Sequence, residues 1–389
     1  MSEVKQKTPP QGLTHPGLVL AGLSLVAVCI MAQLYGPIAL IPEISAHYSV
    51  GPEKAAWVIS SFGFALAAGF LVFGRLSDRF GRRVCMVTGL VGAGLSSAGV
   101  AFAEGFEMIL WLRAAQGFFT AGFPPSTIAW LQERLPEPMR MTGTAVFTCS
   151  LLVSGIVGQM LAAVGGFGEP LRWAAMVPAL FFMLAALVVA IWLPGGVAGR
   201  IVASGADLQT IPYRRLLRVY IGSALSLVPF VMFFAAVEIE SAAGRLMADP
   251  VYVRYVGLPG LLATAFAGLM IRRFGVMRMV LLGFVLMGLA FLGPIVADAV
   301  TGVYITGAVF TFGIAVAIPA LLLTVGNAAP DARALAISIH ASVQFVGVAL
   351  APAVTGLMLE RGFSLTDVCL LAAGLSFFAV VMNIRPARV

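Results

Sequence analysis

Twelve long apolar stretches follow one another along the sequence, and they constrain the fold more than any other feature. Each has roughly the 20 residues that a helix needs to cross the hydrocarbon core of a bilayer. Helices are expected because lipid offers no partner to an unpaired backbone group, and the stretches do not alternate as the strands of a membrane barrel do. The predicted spans are 17–42, 55–75, 84–103, 108–131, 141–164, 172–193, 216–239, 251–271, 277–297, 301–325, 334–358 and 365–384.

The composition supports the same class. Of 389 residues, 60% are hydrophobic and 11% charged, and the mean hydropathy is +1.00. A soluble domain is about 45–50% apolar and about 25% charged. These values exclude a soluble enzyme, a disordered chain and a nucleic-acid-binding domain, so no nucleic-acid partner is expected. The formal net charge of +7 is interpreted as a signal for orientation in the bilayer.

The Lys and Arg residues are distributed unequally between the two sides of the predicted membrane. Of 24, 18 fall in segments on the side of the N-terminus and one, Arg113, falls inside a span. The five on the other side are Lys54, Arg172, Arg245, Arg254 and Arg361. Positive charge favours the cytoplasmic side. We therefore expect a multi-pass protein of the inner (cytoplasmic) membrane with both termini in the cytoplasm.

The second half of the sequence repeats features of the first at an offset of 194 residues. Gly74, Arg79, Phe80, Gly81, Pro125 and Pro136 correspond to Gly268, Arg273, Phe274, Gly275, Pro319 and Pro330. Two six-helix halves in parallel orientation are a known transporter arrangement. The predicted divisions are a cytoplasmic tail at 1–16, a six-helix bundle at 17–193, a cytoplasmic linker at 194–215, a second six-helix bundle at 216–384 and a tail at 385–389.

Two motifs carry a resemblance to a known family. The run Gly-Arg-Leu-Ser-Asp-Arg-Phe-Gly-Arg-Arg at 74–83 closely resembles the loop signature of the major facilitator superfamily. Leu-Arg-Ala-Ala-Gln-Gly at 112–117 resembles the second signature of its proton-coupled members. The resemblance implies an all-α membrane protein with 12 transmembrane helices in two pseudo-symmetric six-helix bundles, similar to the drug/proton antiporters. Span one departs from many such exporters because it contains no acid.

The loop signature is the predicted conformational latch. Gly74 suits close helix approach, and Asp78 at a helix end is placed to pair with an Arg or a facing helix N-terminus. Such a pair would hold the two halves together in one of two states. The alternative is that the arginines only anchor the loop to anionic lipid. The predicted latch residues are Gly74, Asp78, Arg79, Gly81, Arg82, Arg83, Gly268, Arg272 and Arg273.

Arg113 is the most informative single residue because a charge inside a span is costly and indicates function by default. Either it faces a carboxylate or an anionic substrate in a water-filled cavity, or it snorkels to the membrane surface. Gln116 belongs to the same motif. In the resembled family this position helps to couple proton movement to transport.

The other candidate cavity residues are polar groups near Arg113 in depth or on other spans. Gln33 and Tyr35 are the strong polar groups of span one. Glu238 and Glu240, at the end of span seven, are expected near the outer mouth, where Glu238 would take up a proton as the mouth closes. They could equally be two solvated loop acids.

A second candidate group lies on span eleven, where His340 and Gln344 share a helix face. A histidine within the membrane can relay protons or bind substrate. It can also serve as a hydrogen-bonded residue between helices.

The resemblance implies a secondary active transporter that exports a small organic solute, such as a drug, a sugar or a siderophore-like metabolite, in exchange for protons. A proton-coupled importer is the alternative, and a channel or a lipid flippase is less favoured. No enzyme activity is expected because no reactive cluster is evident. Neither a cofactor nor a metal is expected in a chain with three histidines. The expected state is a monomer.

Overall fold

The computed structural model describes residues 15–164, 170–194, 213–329 and 333–384, and in these ranges all regular secondary structure is helical. The first half holds α1 (Pro16–Tyr35), α2 (Ile41–Tyr48), α3 (Pro52–Ala55), α4 (Trp57–Phe80), α5 (Arg82–Val100), α6 (Phe106–Thr120), α7 (Pro124–Arg134), α8 (Glu137–Val164) and α9 (Pro170–Trp192). The second half holds α10 (Tyr213–Ser226), α11 (Val228–Ala242), α12 (Pro250–Leu262), α13 (Ala267–Phe274), α14 (Val276–Ala290), α15 (Gly293–Val296), α16 (Ala299–Ala328), α17 (Arg333–Glu360) and α18 (Leu365–Asn383).

Among the described residues, eleven helical stretches are long and apolar enough to cross a membrane, by length and composition. The remaining predicted span, 108–131, is two helices, α6 and α7, separated at Ala121–Phe123. Pro124 and Pro125 have no backbone N–H and clash with the preceding turn, so they begin a new helix. The corresponding Pro319 lies inside the 30-residue α16, which stays unbroken.

The first and seventh predicted spans are both interrupted, but the two breaks are not equivalent, since Leu227 corresponds to Gln33 at the offset of 194. A 3₁₀ segment at Gly36–Leu40 separates α1 from α2, so the first stretch runs to Tyr48 and Glu43 lies in a helix rather than beyond its end. Leu227 separates α10 from α11. Discontinuous helices of this kind often line the binding sites of transporters.

The repeat is also visible in the backbone. Gly81, between α4 and α5, has φ 95° and ψ 152°, and Gly275, 194 residues later, has φ 88° and ψ 150°. This region of backbone space is open essentially only to glycine. Both loops therefore reverse the chain by the same device, which explains why the glycine recurs.

Among the described residues, helices of the first half contact helices of the second half along several seams, three of which follow. Ser342 of α17 donates a hydrogen bond to the carbonyl of Ala67 in α4 at 2.5 Å. The rings of Tyr35 and Phe230 have centroids 5.5 Å apart. The third seam joins α8 to α12 and contains charged groups, which are described below.

The two ends of the molecule can be told apart by loop contacts. At one end, the Tyr48 hydroxyl donates to the carbonyl of Ala103 at 3.0 Å, and this end is called distal. At the other, the Arg83 guanidinium donates to the carbonyl of Leu193 at 3.0 Å, and this end is called proximal. The proximal end is the end at which α1 begins.

Candidate functional site

Arg113 lies at the centre of a buried polar cluster in the first half. It is 3% exposed and donates to the carbonyl of Val58 at 3.2 Å, to Gln116 Oε1 at 2.5 Å and to the carbonyl of Gln33 at 2.6 Å. Gln116 in turn donates to Gln33 Oε1 at 3.2 Å and to Ser97 Oγ at 3.0 Å. Three helices therefore hold the guanidinium in one orientation: α1, α4 and α6.

The Arg113 cation has neutral partners only. Its guanidinium lies 4.4 Å from the centroid of the Phe62 ring. Within the described ranges no Asp or Glu carboxylate lies within ion-pair distance of it. Of its five N–H donors, three have protein acceptors. The predicted alternative of snorkelling to the surface does not fit a side chain that is almost fully buried.

A cavity of about 980 Å³ opens beside this cluster. Its floor includes Arg113, Gln116 and Gln33, and its walls are mainly apolar side chains. All of its lining residues come from the first half, between Cys29 and Phe181, and they belong to the distal parts of their helices. The cavity thus lies within one half rather than between the two.

A second buried charge cluster joins the halves at the distal end. Arg254 of α12 is 1% exposed and pairs with Glu238 of α11. The same guanidinium donates through Nε to Gln159 Oε1 of α8 at 3.3 Å. One arginine therefore holds a carboxylate of its own half and an amide of the other half.

Glu240 makes a separate ion pair. Its carboxylate receives two hydrogen bonds from Arg245, at 2.9 Å to Oε2 and 2.6 Å to Oε1. Glu240 is 7% exposed, whereas the Arg245 side chain is 57% exposed. Both acids are therefore helix residues held by arginines, and the expectation of solvated loop acids is wrong.

His340 and Gln344 lie elsewhere, in a buried network between α10 and α17. His340 Nδ1 is 2.6 Å from Ser223 Oγ, and Gln344 donates to Ser226 Oγ at 2.8 Å. No hydrogen bond described in the structure joins this network to Arg113 or to Glu238. The arrangement is that of residues bonded between two helices.

The loop signature forms its ion pairs inside the first half. Asp78 Oδ1 lies 2.5 Å from Arg82 Nη1, and Arg82 Nε donates to Glu133 Oε1 at 3.1 Å. Arg79 lies over the ring of Phe80 at 5.3 Å, and Arg273 lies over Phe274 at 5.8 Å in the second copy. Where the chain is described, Asp78 has no ion-pair partner in the second half.

Two contacts of the predicted latch residues do cross between halves. A Cβ built at Gly74 would lie 2.9 Å from Ser338 Oγ of α17, so α4 and α17 approach closely here. Arg272 Nη2 lies 3.2 Å from Met141 Sδ of α8. Apart from the local backbone, no atom of the described residues lies within 4 Å of a Cβ built at Gly268.

The sequence analysis missed Arg254 and Ser97 as candidates. Arg254 was counted with the loop residues, although position 254 falls inside the predicted span 251–271. The criterion applied to Arg113, a charge inside a span, would have identified it. Ser97 carries no comparable signal because a serine on a membrane helix usually bonds to its own backbone.

Comparison with known proteins decides the family. The family model for the Major Facilitator Superfamily matches residues 23–252. This chain belongs to the major facilitator superfamily. It is a membrane transporter, and the expected family is confirmed.

Several known proteins are similar to the chain. It is 22% identical over 328 residues to YybF, an MFS-type transporter of Bacillus subtilis (strain 168), covering 80% of this chain and 78% of the relative. It is 26% identical over 234 residues to the multi-drug resistance efflux pump PmrA homolog of Lactococcus lactis, covering 56% and 57%. It is 26% identical over 163 residues to the probable multidrug resistance protein EmrY of Escherichia coli, covering 41% and 31%. The chain thus spans about half or less of the length of these two drug-resistance relatives.

Proposed function

We propose that this transporter exports a small organic solute, such as a drug, a sugar or a siderophore-like metabolite, across the inner membrane in exchange for protons. Residues 17–193 and 216–384 act as two six-helix bundles that rock against each other in a monomer. Both termini lie in the cytoplasm, so the distal end faces outward. Export is supported by the names of two relatives, a multi-drug resistance efflux pump and a probable multidrug resistance protein, which align with 56% and 41% of the chain.

The observation that carries the proposal is the contact of Glu238, Arg254 and Gln159 across the halves. Removing one charge of a buried pair costs about 3–5 kcal/mol because the other charge is left uncompensated. Protonation of Glu238 removes its negative charge and so leaves the Arg254 cation uncompensated. The protonated form is therefore favoured when the distal helix ends separate and water reaches Arg254. This is the reverse of the order expected from the sequence, where desolvation alone would have Glu238 take up a proton as the mouth closes.

Proton occupancy and the distal contact are then coupled, and by linkage the coupling acts in both directions. Opening the distal side favours proton uptake, and closing it favours proton release. A solute that shifts the same opening equilibrium exchanges free energy with the proton. This is the coupling that an exchanger requires.

At the proximal end, the Asp78–Arg82–Glu133 chain ties the α4–α5 loop to the end of α7. We propose that it sets the loop against α17, where Gly74 meets Ser338. The loop then acts as the latch of the proximal side. Arg113 and its glutamine partners serve solute binding rather than the latch.

The test uses everted membrane vesicles energised by respiration, with acridine orange reporting the proton gradient. A panel of fluorescent amphiphiles, including ethidium and dansyl-labelled undecanoic acid, is added to vesicles holding the wild-type protein. A transported member of the panel should accumulate in the vesicles and release protons from them. Glu238→Gln should abolish solute-driven proton release, whereas Glu360→Gln, at an exposed carboxylate at the end of α17, should not.

Three results contradict the proposal. Accumulation that needs no proton gradient, or proton release that survives in Glu238→Gln, removes the assigned coupling. Solute that leaves everted vesicles together with protons identifies an importer instead. Each of these results is compared with the result for Glu360→Gln vesicles at equal protein level.

A further inference from the structure

The internal repeat allows the two halves to be compared position by position at the place where the cavity lies. The polar cluster consists of Gln33, Ser97, Arg113 and Gln116. At the offset of 194 residues the second half has Leu227, Phe291, Gly307 and Phe310. The second half therefore has no polar side chain at any of these four positions.

Phenylalanine rings fill the corresponding region of the second half. Phe230, Phe233, Phe234, Phe291 and Phe310 form a contiguous cluster with ring centroids 4.9–6.0 Å apart. Each is at most 2% exposed. Protein interiors are normally filled in this way, to the density of an organic crystal.

Residues smaller than phenylalanine stand at the equivalent positions of the first half, and there the cavity is open. Phe230 and Phe234 correspond to Gly36 and Leu40, and both of these line the cavity. The open volume of about 980 Å³ lies at the upper end of the roughly 300–1,000 Å³ range of small-molecule sites. Because the same fold closes this region in its other half, the opening is a property of these residues and not of the architecture.

The chemistry of the floor selects the ligand. Arg113 is a fixed cation with two N–H groups that have no protein acceptor in the described chain. A buried charge without a counter-charge is costly, so an anion gains from occupying the floor. Carboxylate and sulfonate oxygens match the geometry of a guanidinium.

The walls select an apolar body for that anion. Leu161 and Val177 line the cavity and are each 59% exposed, so they offer apolar surface to a ligand. Glu43 and Glu104 also line it, at the distal rim, where both are exposed and their charges are screened by water and salt. Arg113 is shielded from that screening.

We propose that the cavity of the first half is a binding site for a small anionic amphiphile, with its acidic head on Arg113 and its apolar body along α8 and α9. This inference rests on the proposed function, since it names the class of solute that the transporter carries. The site lies inside one half, so its occupancy does not require the two halves to separate.

The experiment measures binding directly, without a proton gradient, in the full-length protein in nanodiscs. The probes are 11-(dansylamino)undecanoic acid and its methyl ester, which differ by one methyl group that removes the negative charge. The wild-type protein should bind the acid at least about tenfold more tightly than the ester. Arg113→Met should reduce that ratio to about one, and Arg113→Lys should retain part of it.

A second pair of variants tests the cavity without touching the charge. Ala162 lines the cavity, whereas its neighbour Ala163 is exposed and does not. Ala162→Phe should weaken binding of both probes by about tenfold or more, and Ala163→Phe should leave both unchanged. This pair keeps the test intact if the Arg113 variants fold poorly.

Equal binding of the acid and the ester overturns the proposal, as does acid binding that Ala162→Phe leaves unchanged. Mass spectrometry of co-purified lipid identifies the natural source of the ligand. An anionic phospholipid present with the wild-type protein and lost with Ala162→Phe indicates a membrane lipid, and its absence indicates a free amphiphilic acid. Charge-selective binding with no flux in vesicles supports the binding site and contradicts export. Flux of ethidium that neither Arg113→Met nor Ala162→Phe changes supports export and contradicts the binding site.

Discussion

The two halves each bury one arginine near the distal end, and they treat it differently. Arg254 of the second half is paired with Glu238 and bonded to Gln159. Arg113 of the first half has carbonyl and amide acceptors, an aromatic ring and an open cavity. The comparison teaches that one fold can use a buried cation in two ways. In the proposed mechanism the paired one responds to a proton on Glu238, and the unpaired one is available to a ligand.

The largest expected effect comes from breaking the paired arginine. Glu238→Leu should lower the stability of the protein by about 3–5 kcal/mol, because Arg254 is left buried without its counter-charge. The double variant Glu238→Leu/Arg254→Met should recover most of that loss, since no orphan charge remains. Thermal unfolding followed by fluorescence-detected gel filtration in detergent measures both. A double variant no more stable than the single one would mean that the pair is not what Glu238 contributes.

A comparable effect is expected from opening the aromatic cluster of the second half. Phe310 is fully buried and touches the rings of Phe230, Phe233 and Phe291. Phe310→Ala should cost about 3–5 kcal/mol, the usual range for a buried phenylalanine. Ala162→Phe, which fills the cavity of the first half, should change stability by less than this, because the ring enters open space and leaves no void. The same thermal assay makes the comparison, and similar losses in the two variants would show that the first-half cavity is closed in the protein.

The smallest effect on stability is expected in the proximal loops. At the offset of 194, Arg272 is the residue equivalent to Asp78. The Asp78 side chain is 61% exposed, and an exposed ion pair contributes about 0–1 kcal/mol. Asp78→Asn and Arg272→Gln should therefore unfold within a few degrees of the wild-type protein. Solute flux should still fall sharply in Asp78→Asn if the loop is the latch. Flux close to the wild-type level would favour a channel-like path, which needs no latch.

Much of the architecture follows from the sequence because each apolar stretch has to form its backbone hydrogen bonds internally. The loop glycines Gly81 and Gly275 likewise reveal the repeat, since both take a backbone conformation reserved for glycine. The break in the span 108–131 was indicated by its two adjacent prolines. Its full separation into α6 and α7 depends on how neighbouring helices accept the freed carbonyls.

The candidate site was only partly predictable. Arg113, Gln116 and Gln33 meet as a cluster, but the span positions alone could not show that Arg113 would have no carboxylate. The phenylalanine cluster includes the residues equivalent to Gly36 and Leu40. It becomes visible only when the helices of the second half are packed together. Glu238 and Gln159 are 79 residues apart in the sequence, and only the fold brings Arg254 between them.

In this mechanism the two arginines have separate roles. Arg113 binds the solute, and Arg254 responds to the proton on Glu238. The most direct test measures dansyl-undecanoate binding and solute-driven proton release in the same preparations of Arg113→Met and Glu238→Gln. We expect Arg113→Met to lose charge-selective binding. We expect Glu238→Gln to keep charge-selective binding and to lose solute-driven proton release. If Glu238→Gln loses binding to the same extent as Arg113→Met, or Arg113→Met keeps it, the division of roles between the halves is contradicted.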